Sequence, residues 1–173
     1  MKRNILMIAL LLLALTGCNR SKTHKITQND VKNAEAALFN EDRSTNAEAV
    51  ATAIETFSKY AETNPKAEDA PDYLFKAIEV SINTYQDANQ SIDLVNRLVS
   101  SYPEYGKNPV ALFMLASFVY EDQKQEYDKA RDTYRQIMEN YPDSPFAKDA
   151  AIAIEQVGMT PEQLIERFEA NQE

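Results

Sequence analysis

Several residue types that support catalysis or covalent cross-linking are scarce in this chain of 173 residues. It contains one cysteine, Cys18, one histidine, His24, and no tryptophan. A lone cysteine excludes a disulfide within the chain. A lone histidine near the N-terminus excludes histidine-based triads and general bases from the rest of the chain. Because tryptophan is absent, the chain lacks the side chain that most often stacks on sugars.

Glycine is also scarce, with only Gly17, Gly106 and Gly158. The sequence has no Asn-Gly or Asp-Gly pair and no sustained alternation of apolar and polar residues, so β-hairpins are not expected. It matches no phosphate loop, dinucleotide fingerprint, EF-hand loop or His-Glu-x-x-His zinc helix. Paired acids such as Glu121-Asp122 fall at predicted helix ends, where solvation is their usual role. We therefore expect no catalytic residue, no metal site and no cofactor.

Basic residues are outnumbered, 18 against 27 acids, which gives a net charge of −9. All of the acids follow Lys25. An acidic body repels phosphate backbones, so nucleic acid is excluded as a partner. The short basic stretch with Arg20, Lys22 and Lys25 could lie on anionic lipid headgroups or simply be solvated.

The N-terminus has the layout of a secretion signal. Lys2 and Arg3 precede an apolar run at 5–15, which is too short for the roughly 17 residues that a membrane-spanning helix needs. The run ends in Leu-Thr-Gly-Cys, and this tetrapeptide resembles the lipobox of bacterial lipoproteins. The alternatives are an ordinary signal peptide with a chance cysteine, or an uncleaved anchor.

The lipobox resemblance implies cleavage between Gly17 and Cys18 and attachment of acyl chains to Cys18. Residues 1–17 would then be a signal peptide, 18–26 a lipidated cysteine with a polar tether, and 27–173 a helical domain. Two or three acyl chains hold a protein firmly on a membrane, whereas one holds it marginally. The sequence therefore predicts that the protein associates with a membrane through acyl chains on Cys18.

Prolines divide the domain into helices. Asn108, Ser144 and Thr160 each precede a proline and are predicted N-caps, with Gln163 completing a capping box after Thr160. Pro65, Pro103 and Pro142 follow amphipathic stretches and are predicted to end helices. The result is an all-α prediction of about eight helices, roughly at 27–40, 45–62, 70–87, 89–101, 108–122, 126–140, 144–157 and 160–171.

An internal repeat supports this division. Three segments share a spacing of four, three and five residues and lie 38 and then 39 residues apart. A small residue at the first position of each segment would let the second helix of a hairpin approach the first helix. The residues at the second and third positions would pack on the same face of that second helix. The segments are Ala53, Phe57, Tyr60 and Pro65; Ser91, Val95, Leu98 and Pro103; and Ala130, Tyr134, Ile137 and Pro142.

The third unit also has a matching first helix, with Leu112, Leu115, Ala116 and Val119 on one face. This pattern resembles the tetratricopeptide repeat, with a short insertion near 121–126 because the unit exceeds 34 residues. The resemblance implies a solenoid of helical hairpins whose first helices line a concave groove for a peptide. Possible groove contacts are Lys76, Asn83, Ser117 and Lys148.

A lipobox followed by such repeats resembles the BamD-type outer-membrane assembly lipoproteins, although the chain is shorter and its first repeat is poor. Residues 141–147 are also similar to repeats of periplasmic cell-division coordinators and pilus-assembly lipoproteins. The expected function is a lipid-anchored adaptor that binds one or more envelope proteins. Asn19 is not the aspartate that tends to retain enterobacterial lipoproteins in the inner membrane, which favours the outer membrane, facing the periplasm. The alternatives are a self-associating structural protein and an enzyme acting on envelope polymers.

Overall fold

The structure, a computed structural model, describes residues 25–42 and 44–170 and is built from eight helices in that range. The all-α prediction is confirmed. The fifth helix continues without interruption into a π-helical segment, π1, at Leu115–Gln123. The α-helices are α1 (Gln28–Ala37), α2 (Ala47–Thr63), α3 (Ala70–Asn83), α4 (Ala88–Ser101), α5 (Asn108–Met114), α6 (Tyr127–Asn140), α7 (Pro145–Ile154) and α8 (Pro161–Ala170).

One hydrophobic core runs through the stack, and each helix from α1 to α7 contributes residues to it, whereas α8 has no buried residue. In α4 the buried residues are Ser91, Leu94, Val95 and Leu98, spaced by three, one and three. The buried residues of α6 have the same spacing, from Ala130 to Ile137. This spacing places all four side chains on one side of a helix with 3.6 residues per turn.

The ends of α2, α4 and α6 have the same geometry. Their C-caps are Asn64, Tyr102 and Tyr141, and each backbone N–H donates to the carbonyl four residues earlier at 2.9 Å. The next turn repeats as well, because the carbonyls of these three residues accept from the amides three residues later at 2.9–3.0 Å. A proline follows each C-cap and disfavours helix in the residue before it. The repeat found in the sequence is therefore also a repeat of backbone conformation.

Two of the three predicted N-caps are present. Ser144 accepts from Phe146 N at 3.3 Å. Thr160 and Gln163 form the reciprocal capping box, at 2.9 and 3.3 Å.

The prediction of Asn108 as a cap is wrong, because Asn108 is the first helical residue and Lys107 precedes it as a cap without a side-chain bond. Asn108 is fully buried, and its Nδ2 donates to the carbonyls of Tyr102 and Pro103 at 2.7 and 3.1 Å. Those carbonyls lie at the end of the preceding unit. The amide therefore joins two units and is turned away from its own helix start.

α3 ends at Asn83, four residues before the predicted end. Tyr85 adopts a left-handed φ of 50°, and its amide donates to Ile82 O at 3.1 Å. Gln86 N donates to Ser81 O at 3.0 Å. These two bonds form a Schellman motif, which normally has glycine at the left-handed position.

Part of the extra length of the third unit lies within its first helix. In π1, hydrogen bonds span five residues instead of four, as in Lys124 N to Val119 O at 2.9 Å. Each such hydrogen bond encloses one residue more than an α-helical hydrogen bond. The insertion predicted near 121–126 is therefore in part a widened helix, which ends at Gln123, and Gln125 in the following turn has a left-handed φ of 54°.

Among the described residues, no helix has the length and apolarity to cross a membrane. The predicted cleavage site at Gly17 and lipidation site at Cys18 lie outside the described residues, as does His24.

Candidate functional site

A groove of 390 Å³ opens between α1 and α3. Leu38 and Phe57 are buried beneath it, at 5% and 1% exposure. Its remaining lining residues are Glu35, Phe39, Thr45, Lys76, Glu79, Val80, Asn83 and Thr84. An apolar floor with a few polar groups at the rim is the usual composition of a binding site.

One face of α3 supplies the longer wall of this groove. Lys76, Glu79, Val80 and Asn83 are spaced by three, one and three, so their side chains project from the same side of the helix. The opposite side of α3, with Leu74, Ala77 and Ile78 among others, is buried in the core. The core therefore fixes the direction in which the groove face points.

The turn after α1 supplies the shorter wall. Phe39 and Thr45 form an isolated antiparallel bridge, and Asn46 N donates to Leu38 O at 2.7 Å. This closed turn buries Leu38 and leaves the neighbouring Phe39 with 59% of its surface exposed. An exposed phenylalanine at the rim of a groove is a typical anchor for a protein partner.

The charges in the groove are partly paired. Lys76 Nζ lies 2.6 Å from Glu35 Oε1 and so joins α3 to α1. The same ammonium lies 5.1 Å from the centre of the Tyr73 ring. Glu79 forms no ion pair within the described part of the chain, so the groove as a whole, with Glu35 and Glu79 against Lys76, is acidic on balance.

Contacts from the turn after α4 hold this face in place. Tyr105 Oη donates to Asp72 Oδ1 at 2.6 Å, and Lys107 Nζ lies 3.3 Å from the same oxygen. The Tyr105 hydrogen bond, together with Lys107, holds the pKa of Asp72 below its usual value, although partial burial opposes the shift. Asp72 lies in the first turn of α3, so these bonds fix the start of the helix whose later turns line the groove.

The predicted repeat residues occupy two kinds of position. The three prolines, Pro65, Pro103 and Pro142, are exposed in the turns. The others are buried: Ala53, Phe57, Tyr60, Ser91, Val95, Leu98, Leu112, Leu115, Ala116, Ala130, Tyr134 and Ile137.

Of the four possible groove contacts, Lys76 and Asn83 line the groove. Ser117 lies in π1 and is half-buried, and Lys148 is exposed on α7; neither lines this groove. Sequence reasoning missed Phe39, Glu35, Glu79 and Val80. The spacing of Lys76 and Asn83 could have indicated the two residues between them, but no sequence signal pointed to Phe39.

Residues 110–144 match the family model of the tetratricopeptide repeat. The fold is a tetratricopeptide-like solenoid of helical hairpins. The matched segment runs from α5 to the turn after α6, which is the unit whose sequence pattern is fullest. No curated protein matches the chain.

Tetratricopeptide repeats generally mediate protein–protein interaction, and their fold is typically a scaffold without catalytic activity. No enzyme family is indicated by the match. Within the described ranges, no group of three or more histidine, cysteine or acidic side chains is arranged to hold a metal ion.

Proposed function

We propose that the protein is a lipid-anchored scaffold of the bacterial cell envelope that holds another envelope protein in the groove between α1 and α3. It would not act as an enzyme. The observation that carries the proposal is the exposed Phe39 beside an apolar groove floor, in a fold of the kind that generally binds proteins. The resemblance to BamD-type lipoproteins favours a role in outer-membrane protein assembly, on the periplasmic side of the outer membrane.

The tether would keep this groove close to the membrane. The chain joins the fold at Ile26, whose carbonyl accepts from Asn64 Nδ2 at 2.9 Å. Ile26 is eight residues after Cys18, and at most about 3.5 Å per residue these eight steps span roughly 30 Å. A lipid on Cys18 would therefore limit the scaffold to partners at or near the membrane surface.

The chemistry of the groove favours a partner with an apolar side chain next to a basic one. The floor and Phe39 would bury the apolar group, which is the main source of binding free energy. Glu79 would pair with the basic group, and the paired Lys76 would not repel it.

Variants at matched positions test the groove. Envelopes of cells that carry the tagged full chain are crosslinked, and co-purified proteins are quantified by mass spectrometry. We expect a stable partner with the wild type, a loss of about tenfold or more with Phe39→Asp, and no loss with Tyr85→Asp. Tyr85 is the matched control because it is also an exposed aromatic residue, at 65%, and lies outside the groove. Equal recovery with both variants would contradict the groove assignment.

The lipid anchor has its own test. Mass spectrometry of the purified mature protein should show an N-terminal Cys18 with attached acyl chains, and Cys18→Ser should move the protein from the membrane to the soluble fraction or leave it unprocessed. A mature N-terminus at another residue, or an unmodified Cys18, would contradict the anchor. Light scattering of the wild type tests the alternative of a self-associating structural protein. Such a protein would form oligomers without a partner.

A further inference from the structure

The last helix, α8, presents an apolar face that the rest of the described chain leaves largely open. None of its residues is buried, and Ile165 and Phe168 each expose 58% of their surface. With 3.6 residues per turn, Leu164, Ile165 and Phe168 lie within an arc of about 100° on the helix. We refer to these three residues as the α8 face. Large apolar side chains grouped on a surface in this way are typical of interaction sites.

Polar contacts hold α8 in place through parts of the helix other than the α8 face. Its start is capped by Thr160 and Gln163. Its only cation, Arg167, donates from Nη1 to Glu155 O at 2.7 Å and pairs through Nη2 with the Glu155 carboxylate. Arg167 lies on the opposite flank of the arc from the acids of the helix, so attachment through Arg167 leaves the α8 face turned outward.

Acidic residues border the α8 face along one edge. At 100° per residue, Glu162, Glu166 and Glu169 all fall within a second arc next to Ile165. Within the described ranges no ion pair involves these three carboxylates, and the single basic residue of the helix is already paired with Glu155. The face therefore combines an apolar stripe with an unneutralised negative edge.

We propose that the α8 face binds an amphipathic helix of a partner protein in which an apolar stripe is flanked by lysine or arginine. Charge complementarity carries this choice, because the acidic edge attracts a basic flank and repels an acidic one. A second copy whose α8 packs antiparallel against this one fits poorly, since it would bring two acidic edges together. The site is separate from the groove between α1 and α3 and does not depend on the function proposed for that groove.

Designed peptides provide the test. The full chain is reconstituted in nanodiscs of neutral phosphatidylcholine, and empty nanodiscs are the blank. The probes are two fluorescent 18-residue helical peptides with the same leucine stripe, one flanked by lysine and one by glutamate. Fluorescence anisotropy should show saturable binding of the lysine peptide, at least about tenfold tighter than that of the glutamate peptide.

Three variants locate the binding site. Phe168→Glu should weaken binding of the lysine peptide by about tenfold or more, because it removes buried apolar area and adds a charge to the face. Tyr85→Asp, at an exposed aromatic residue outside both the α8 face and the groove, should leave this binding unchanged. The double variant Glu166→Gln with Glu169→Gln keeps the apolar stripe, and it should bring the affinities for the two peptides close together.

Several results would overturn the proposal. These are no saturable binding, equal binding of the two peptides to the wild type, or an affinity ratio that the double glutamine variant leaves unchanged. Binding that Phe168→Glu leaves unchanged and Phe39→Asp abolishes would place the peptide in the groove instead. A dimer in light scattering that Phe168→Glu dissociates would show that a second copy covers the face.

Discussion

At the scale of single residues, two tyrosines make the same bond in different surroundings. Tyr134 is 1% exposed and donates to Glu121 Oε1 at 2.8 Å, and Tyr85 is 65% exposed and donates to Asp122 Oδ2 at 3.1 Å. A buried hydrogen bond to a charged group contributes more to stability than an exposed one, for which water competes. The two positions therefore form a matched pair.

Tyr134→Phe should lower the free energy of unfolding by about 1–2 kcal/mol, because the Glu121 carboxylate loses a bond beside a buried ring. Tyr85→Phe should change it by less than about 0.5 kcal/mol. Urea unfolding followed by far-ultraviolet circular dichroism measures both values. Equal effects of the two variants would show that burial does not decide the strength of these bonds.

The small residue at the start of each repeat segment illustrates what a sequence can and cannot predict. The spacing indicated that Ser91 is small because two helices approach there. The structure adds that its hydroxyl lies 2.7 Å from the hydroxyl of Ser81, with both side chains fully buried. Spacing reveals the face on which a residue lies, but not the polar partner that it meets on the neighbouring helix.

At the scale of elements, helix starts and ends differed in how well the sequence indicated them. Ends marked by proline were predicted within a few residues, because proline acts locally on the residue before it. The end of α3 was missed because its left-handed position is occupied by Tyr85 and not by glycine. Asn108 was misread as a cap because its bonds run to the preceding unit. These outcomes depend on tertiary contacts that no short window of sequence contains.

The turn between α7 and α8 depends on Gly158. This residue has a φ of +78°, and a Cβ there would lie 3.3 Å from Cγ of Tyr127. Gly158→Ala should therefore destabilise the fold by about 1–2 kcal/mol.

Gly106→Ala is the matched control, since a Cβ at Gly106 would meet nothing within 4 Å and its φ is not left-handed. This variant should be neutral or stabilise by up to about 1 kcal/mol, because alanine restricts the unfolded chain. Urea unfolding of the two variants compares them directly. A harmless Gly158→Ala would show that the turn can adopt another conformation without loss.

At the scale of the whole molecule, the tyrosines make the free energy of unfolding depend on pH in the alkaline range. Burial is the main cause that raises the pKa values of six of them above the ordinary 10.0: Tyr60, Tyr73, Tyr102, Tyr105, Tyr120 and Tyr134. Well below pH 10 these phenols are protonated in both the folded and the unfolded chain. Above about pH 10 the unfolded chain releases its protons first, so unfolding becomes more favourable as the pH rises.

The urea midpoint should therefore be constant between about pH 7 and 9 and fall between about pH 10 and 12. Replacing Tyr105 and Tyr134 with phenylalanine should reduce the slope of that fall, whatever it does to stability at neutral pH. A midpoint that does not change up to pH 12 would contradict the pKa shifts.

Function at this scale was predictable only in outline. The proline and repeat spacings predicted a helical solenoid, and the lipobox resemblance remains a prediction about residues 1–18. Two groove residues, Lys76 and Asn83, were predicted, because they lie on a regular helix and the spacing of residues in the sequence indicates which of them share a face. Phe39 lies in an irregular turn, where exposure depends on the bridge to Thr45 and cannot be counted.

The most direct test of the scaffold function is site-specific photo-crosslinking in living cells. A photoreactive amino acid is placed at Asn83, in the groove, or at Asn96, an exposed asparagine on α4 outside it. We expect a discrete crosslinked product with one envelope protein from position 83, and none from position 96, in cells carrying the full chain. The same product from both positions, or no product from position 83, would contradict it.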